Sequence, residues 1–163
     1  MQIPTGLKRS ASMIVLRNEQ KFLLLKRAKP PHQGKYLPVG GKLDPFEDPY
    51  SAAKRELEEE TGLKIDVLHF CGVLTESSPT KYNWQSYIYV ADIDFITPPF
   101  CNEGELEWIE FKDIPLVPTP ETDWHVYDYI MRRQHFVFNA VYDNDLNLLF
   151  MKDEIENKLV VGC

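Results

Sequence analysis

Three glutamates, Glu56, Glu59 and Glu60, are spaced i, i+3 and i+4 in the run AAKRELEEETGL, so at 100° per residue they share one face of a helix. Ala52 and Ala53 lie on that side with Leu57 at its edge, while Lys54 and Glu58 point the other way. An ordinary surface helix separates apolar residues from charges. This one places three acids on the side that small residues mark for close approach to the rest of the protein. Two carboxylates about 4 Å apart repel by roughly 1 kcal/mol in bulk water and by about 4 near a protein surface. The cluster therefore calls for positive charge among its members. A hard divalent cation with oxygen ligands, Mg²⁺ or Mn²⁺, is the chemistry that suits it.

The helix that must carry these acids is clearly bracketed. Asp48 is its expected N-cap with Pro49 at the first helical position, and Gly62 is its stop. A glycine pair, Gly40-Gly41, precedes it. From Gly41 to Leu63 the chain fits G-x5-E-x7-R-E-U-x-E-E-x-G-U (U aliphatic) at Gly41, Glu47, Arg55, Glu56, Leu57, Glu59, Glu60, Gly62 and Leu63. A chance match at a given start is on the order of one in 10⁹, which sets aside a merely solvated Glu-rich face. Through this box the chain resembles the Nudix (MutT-like) hydrolases, with no departure inside the pattern.

That resemblance implies an α/β fold, a mixed β-sheet sandwiched between α-helices with a C-terminal helix and β-hairpin. It also implies Mg²⁺-dependent cleavage of a phosphoanhydride bond in a nucleotide, with Mn²⁺ as a substitute. It assigns Glu59 and Glu60 as metal ligands, Glu56 as a ligand or as the base that orients the attacking water, and the Gly40 carbonyl as a further ligand. Arg55 and Glu47 match the pair that braces the box. A further acid from outside the box completes the metal site in many members; Glu103, five residues before Trp108, has the matching spacing, with Glu105 and Glu107 as rivals. Arg27, at the end of an expected strand, and Lys42, directly after the glycine pair, are the cations placed to meet phosphates. Each also reads as a solvated surface charge.

At 163 residues the chain is expected to make one domain with a core of useful size, and 44% apolar with 26% charged residues is a globular composition. The net charge of −7 disfavours a nucleic acid polymer as partner, since proteins that track phosphate backbones carry a basic surplus. The longest apolar runs, such as Phe22–Leu25, are strand-sized and no membrane span is expected; MQIPTGLKRSAS lacks the apolar core of a signal peptide. Cys71, Cys101 and Cys163 are odd in number and scattered, which suits a reducing, cytoplasmic setting for a monomer or homodimer.

Periodicity supplies the remaining elements. Residues 10–17 and 21–27 read as a hairpin followed by a Pro- and Gly-rich loop, and 36–43 leads into the box. Strands are expected over 64–73, 82–95 and 105–111, a helix over 123–133, and a terminal hairpin over 136–142 and 146–151. The segment from Gly104 onward resembles the C-terminal half of Nudix enzymes that cleave 8-oxo-dGTP to the monophosphate and pyrophosphate. On that likeness Glu121, Thr122 and Asp123 fall where the base is contacted, and Trp124 and Tyr127 have rings that can stack on a purine. Equally, Asp123 reads as a helix cap and Trp124 as core. Leu37-Pro38-Val39 stand where mammalian members of that group carry an asparagine. Pro79, sixteen residues past Leu63, has a spacing associated with ADP-ribose pyrophosphatases. A hydrolase of nucleoside diphosphate derivatives such as ADP-ribose therefore stays open, as does a non-catalytic nucleotide-binding Nudix domain.

Overall fold

Two apolar runs, MIVL and FLLL, form the middle of the molecule as β1 (Arg9–Asn18) and β2 (Lys21–Arg27). Their side chains alternate across the sheet. Ile14, Leu16, Leu23 and Leu25 enter one core, while Val15, Phe22 and Leu24 enter a second on the other side. Strands buried on both faces need apolar residues at successive positions, which is why these runs do not alternate in sequence. The structure, a computed structural model, describes residues 2–162.

The remaining elements are β3 (Tyr36–Leu37), β4 (Val39–Lys42), α1 (Pro49–Thr61), β5 (His69–Ser77), β6 (Trp84–Asp92), β7 (Gly104–Glu110), a 3-10 helix (Phe111–Leu116), α2 (Asp123–Met131), β8 (Phe136–Tyr142), β9 (Leu148–Asp153) and β10 (Lys158–Val161). They join one mixed sheet with the path β10-β9-β8-β5-β6-β1-β2-β3, in which β1/β6 and β5/β8 are the parallel pairs. Helix α1 closes one core with Ala53 and Leu57, and α2 closes the other with Val126, Tyr127, Tyr129 and Ile130. The expected helix–sheet–helix sandwich is what the chain adopts.

One irregularity in the sheet creates the site. The edge of β1 that faces away from β6 is shared: residues 16–18 pair with β2, and residues 11–14 pair with β4. Strand β2 is divided in the same way, pairing with β1 over 21–23 and with β3 at Leu25 and Lys26, while its other edge carries β7. The sheet thus forks, and the glycine pair of β4 lines one arm.

The expected strand over 64–73 starts at His69 instead. Leu63, Ile65 and Leu68 are apolar because they pack under α1 as a connection, not because they pair. Pro38, which cannot donate to a ladder, splits the 36–43 segment into β3 and β4. The terminal hairpin pairs 136–142 with 148–153 and gains β10, a four-residue strand too short to show a period. Among the described residues no helix is long and apolar enough to cross a membrane.

Candidate active site

Helix α1 is built as its end signals demand. The Asp48 carboxylate accepts from the Ser51 N–H at 2.9 Å and from the Ser51 hydroxyl, Pro49 is the first helical residue, and Gly62 ends the helix at φ +75° with its N–H on the Glu58 carbonyl. Ala52, Ala53 and Leu57 are buried, and this packing sets the rotation that aims Glu56 and Glu60 at the fork.

The positive charge among the acids comes first from the chain itself. Arg55 donates from Nη1 to Glu56 at 2.9 Å and to Glu59 at 3.2 Å, and from Nε and Nη2 to the two oxygens of Glu47 at 2.8 and 2.9 Å. A further bond from Nη2 reaches the Lys42 carbonyl at 3.0 Å, tying the helix to the end of β4. These carboxylates hold the guanidinium proton well above the ordinary range, and Arg55 together with the Asp44 N–H holds the Glu47 carboxyl low. The premise that three acids require a metal to offset them is therefore corrected for two of the three. Consistent with this, among the described residues no three His, Cys, Asp or Glu side chains converge as a ready-made metal cage.

Glu60 is the exception. It is half-buried, it accepts only the Gly40 N–H, at 3.3 Å, and no cation pairs with it among the described residues. Burial first, then the neighbouring charges of Glu56 and Glu103, push its carboxyl up to about 7 despite the Gly40 bond and Arg27. Burial also raises Glu56, against the pull of Arg55. Glu60, with Glu56 and Glu103 near enough to raise its carboxyl, is thus an oxygen donor short of positive charge. That fits a hard divalent cation. Gly41 makes the arrangement sterically feasible: a Cβ there would stand 2.5 Å from a Glu56 carboxylate oxygen. Glu59 is more exposed, with 58% of its side chain accessible, and lies on the outer side with Arg55. Of the rival acids, Glu107 accepts from the Tyr36 hydroxyl and is thereby occupied.

Against the same glycine pair lies a cavity of about 300 Å³, at the low end of small-molecule sites. Gly40, Gly41 and Lys42 form one wall and Asp123, Val126 and Tyr127 of α2 another. Its floor is a set of alternate residues from neighbouring strands, Met13 on β1, Trp84, Ser86 and Ile88 on β6, and Leu74 and Glu76 on β5. Arg27 lines it too, with Nε donating to the Pro31 carbonyl at 2.8 Å and to Lys29 at 3.2 Å, so this cation is held by the loop after β2. Neither Arg27 nor Lys42 makes an ion pair within the described residues.

Asp123 is the first residue of α2 and not its cap, which is Thr122. Its Oδ1 accepts from the Thr122 hydroxyl at 3.2 Å, whereas Oδ2 is buried with no hydrogen-bond partner among the described residues. Burial and the charge of Glu76 push this carboxyl up to about 8. Glu121 and Trp124 do not line the cavity. Trp124 packs edge-on to Phe111 at 5.0 Å, and Glu121 and Trp124 border a separate depression with His125 and Leu148. Trp84 lines the cavity instead, with the Arg9 guanidinium 4.1 Å from its ring centre.

Glu76, Tyr82, Trp84 and His32 escaped the sequence reading. Glu76 and Trp84 sit in strands with no local pattern to single them out. Its burial in an otherwise apolar row is what distinguishes Glu76, and burial is a tertiary property. Its Oε2 accepts from the hydroxyls of Tyr142, at 2.5 Å, and Tyr82, at 3.2 Å; the Tyr82 oxygen in turn lies 3.2 Å from the His32 Nε2.

Comparison with known proteins gives matches at the level of family and fold. Residues 6–147 match the NUDIX domain family model. Mouse oxidized purine nucleoside triphosphate hydrolase is 26% identical over 151 residues, covering 90% of this chain and 95% of its own length. The uncharacterized Nudix hydrolase YvcI of Bacillus subtilis is 30% identical over 125 residues, covering 74% and 77%. Among solved structures, the mutator MutT protein of Bacillus halodurans superimposes with a TM-score of 0.78 at 19% identity, over 90% of this chain and 98% of that one.

Proposed function

The chain belongs to the Nudix family of hydrolases acting on phosphoanhydride bonds, and on that premise we propose that it is a Mg²⁺-dependent nucleoside triphosphate pyrophosphohydrolase, with 8-oxo-dGTP as the preferred substrate. One observation carries this reading. The pair Gly40-Gly41 is at once the seat of Glu60 and Glu56 and a wall of the cavity that ends at Asp123. A phosphate chain crossing that wall has acids on one side and a base-sized recess on the other. The mouse relative, named for oxidized purine nucleoside triphosphates, matches over nearly its whole length and supports the choice of substrate.

In this reading Glu56, Glu60, Glu103 and the Gly40 carbonyl hold the cation. Mg²⁺ commonly takes one or two carboxylates plus substrate phosphates, which suits a site where the described residues form no closed cage. When bound, such an ion would supply positive charge that lowers the barrier to attack by water on a phosphoanhydride bond. Arg55, itself gripped by Glu47, keeps Glu56 and Glu59 in place through hydrogen bonds. Glu56, or Glu59 beside it, accepts the proton of the attacking water. Arg27 and Lys42 at the cavity mouth offset the growing negative charge on the phosphates. Asp123 meets the base.

The deciding experiment offers the protein, with Mg²⁺, a panel of triphosphates, oxidized triphosphates and ADP-sugars, and identifies the products by chromatography. Nucleoside monophosphate plus pyrophosphate is the expected result. AMP plus a sugar phosphate, with triphosphates untouched, replaces this reading by the nucleoside diphosphate derivative class.

A further inference from the structure

We propose that Glu76 is a specificity-determining residue, forming with Asp123 a two-acid wall that accepts the adjacent ring N–H and exocyclic amino group of a guanine-type base. The proposal rests on the reading above that a nucleotide occupies this cavity.

The two acids are held alike. Each has one oxygen committed to the protein: Oε2 of Glu76 to the phenols of Tyr142 and Tyr82, and Oδ1 of Asp123 to the Thr122 hydroxyl. Each has one oxygen with no protein donor, and that of Asp123 is fully buried. Both residues line the cavity, and no lysine or arginine pairs with either within the described residues. Buried polar atoms are nearly always satisfied, and an uncommitted buried carboxyl oxygen has a cost that a donor from elsewhere removes. Two such oxygens in one recess favour a ligand edge with two neighbouring donors. The Watson–Crick edge of guanine, with its N1–H and 2-amino group, has that pattern; adenine offers one donor there, its 6-amino group, beside the N1 acceptor, and leaves one acid unmet.

Glu76 cannot swing away to avoid this role. Two phenols grip one of its oxygens, and Tyr82 is itself backed by His32 from the loop after β2. A site built to hydrogen-bond a donor discriminates strongly against an analogue that lacks it. The carboxyl of Asp123 keeps its proton in the free protein, so acceptance of two donors releases it.

The test is calorimetric titration of the full chain in chelator with GMP and with AMP, repeated in buffers of different ionisation enthalpy. GMP is expected to bind at least about 10-fold more tightly than AMP, with proton release on binding. In E76Q this preference falls to within about twofold through weaker GMP binding, and Y142F, which frees one grip on Glu76, loses part of it. Equal binding of the two nucleotides by the unaltered protein overturns the proposal, whether or not the variants fold. Equal loss of both ligands in a folded E76Q overturns it too, because that marks a structural acid. The two readings fail separately: base selection without hydrolysis of any triphosphate sinks the catalytic assignment, and hydrolysis without base selection sinks this one.

Discussion

Arg55 grips Glu47 at two points, Nε to Oε2 at 2.8 Å and Nη2 to Oε1 at 2.9 Å, and so joins the loop before α1 to the helix that carries the acids. The guanidinium fork serves four acceptors at once, since it also reaches Glu56, Glu59 and the Lys42 carbonyl. An ammonium group lacks that planar geometry. Arg55→Lys is therefore expected to lower kcat/KM by about 10- to 100-fold and to weaken metal activation, with charge conserved. Glu47→Gln is expected to show a loss of similar size, and the double variant little more than either single one. Steady-state kinetics across Mg²⁺ concentrations check this; fully additive losses would show that the two side chains act independently.

Gly41 has space for no side chain on the Glu56 side, yet the atoms in the way are the mobile end of that glutamate, not backbone. Gly41→Ala is accordingly expected to fold with nearly unchanged thermal stability while displacing the Glu56 carboxylate. A drop in kcat of about 10-fold or more with little change in Tm is the predicted signature. A Tm loss without a rate effect would contradict it.

Glu60 is expected to link activity to both pH and metal. Its carboxyl, pushed up to about 7 by burial and by Glu56 and Glu103, is protonated below that pH, and a proton there competes with the cation. At limiting Mg²⁺ the rate should fall as pH drops through 7, and saturating Mg²⁺ should move that limb to lower pH. Glu60→Gln keeps the fold, abolishes the movable limb and lowers the rate by at least about 10²-fold. Near-normal turnover of this variant at limiting Mg²⁺ would remove Glu60 from the metal site.

Asp123 sets a stability trend of definite sign. Its ordinary value is 3.8, and in the folded protein burial and Glu76 push it up to about 8. Between these limits the folded state holds a proton that the unfolded state releases, so this residue's contribution is most favourable below about pH 4 and is lost as pH rises through 8. Asp123→Asn removes the dependence. The Tm difference, variant minus unaltered protein, should grow steadily from pH 4 to 9 without ligand. A constant difference would show that this carboxyl is not desolvated as described.

Helix α1 was legible in sequence because all its determinants are local. Asp48, Pro49 and Gly62 act within one turn of where they stand, and the spacing of Ala52, Ala53 and Leu57 states which side packs. The two buried central strands were legible for the same reason, since a strand enclosed on both faces advertises itself by an unbroken apolar run. By contrast, β10 and the true start of β5 depend on which neighbour offers a free edge, and no short window of sequence records that.

By itself, then, the sequence determined the box, the family, the sandwich and the helix face on which Glu56 and Glu60 sit. Only tertiary structure decided that Arg55 already compensates two of the three acids, that Glu60 is the uncompensated one, and that Trp124 turns away while Trp84 floors the cavity. It alone brought Glu76, from β5, to the same recess as Asp123, from α2. The physical reason is range. Capping and periodicity act over a few residues, whereas burial, and the charge balance that follows from it, depends on segments far apart in the chain meeting at a fork in the sheet.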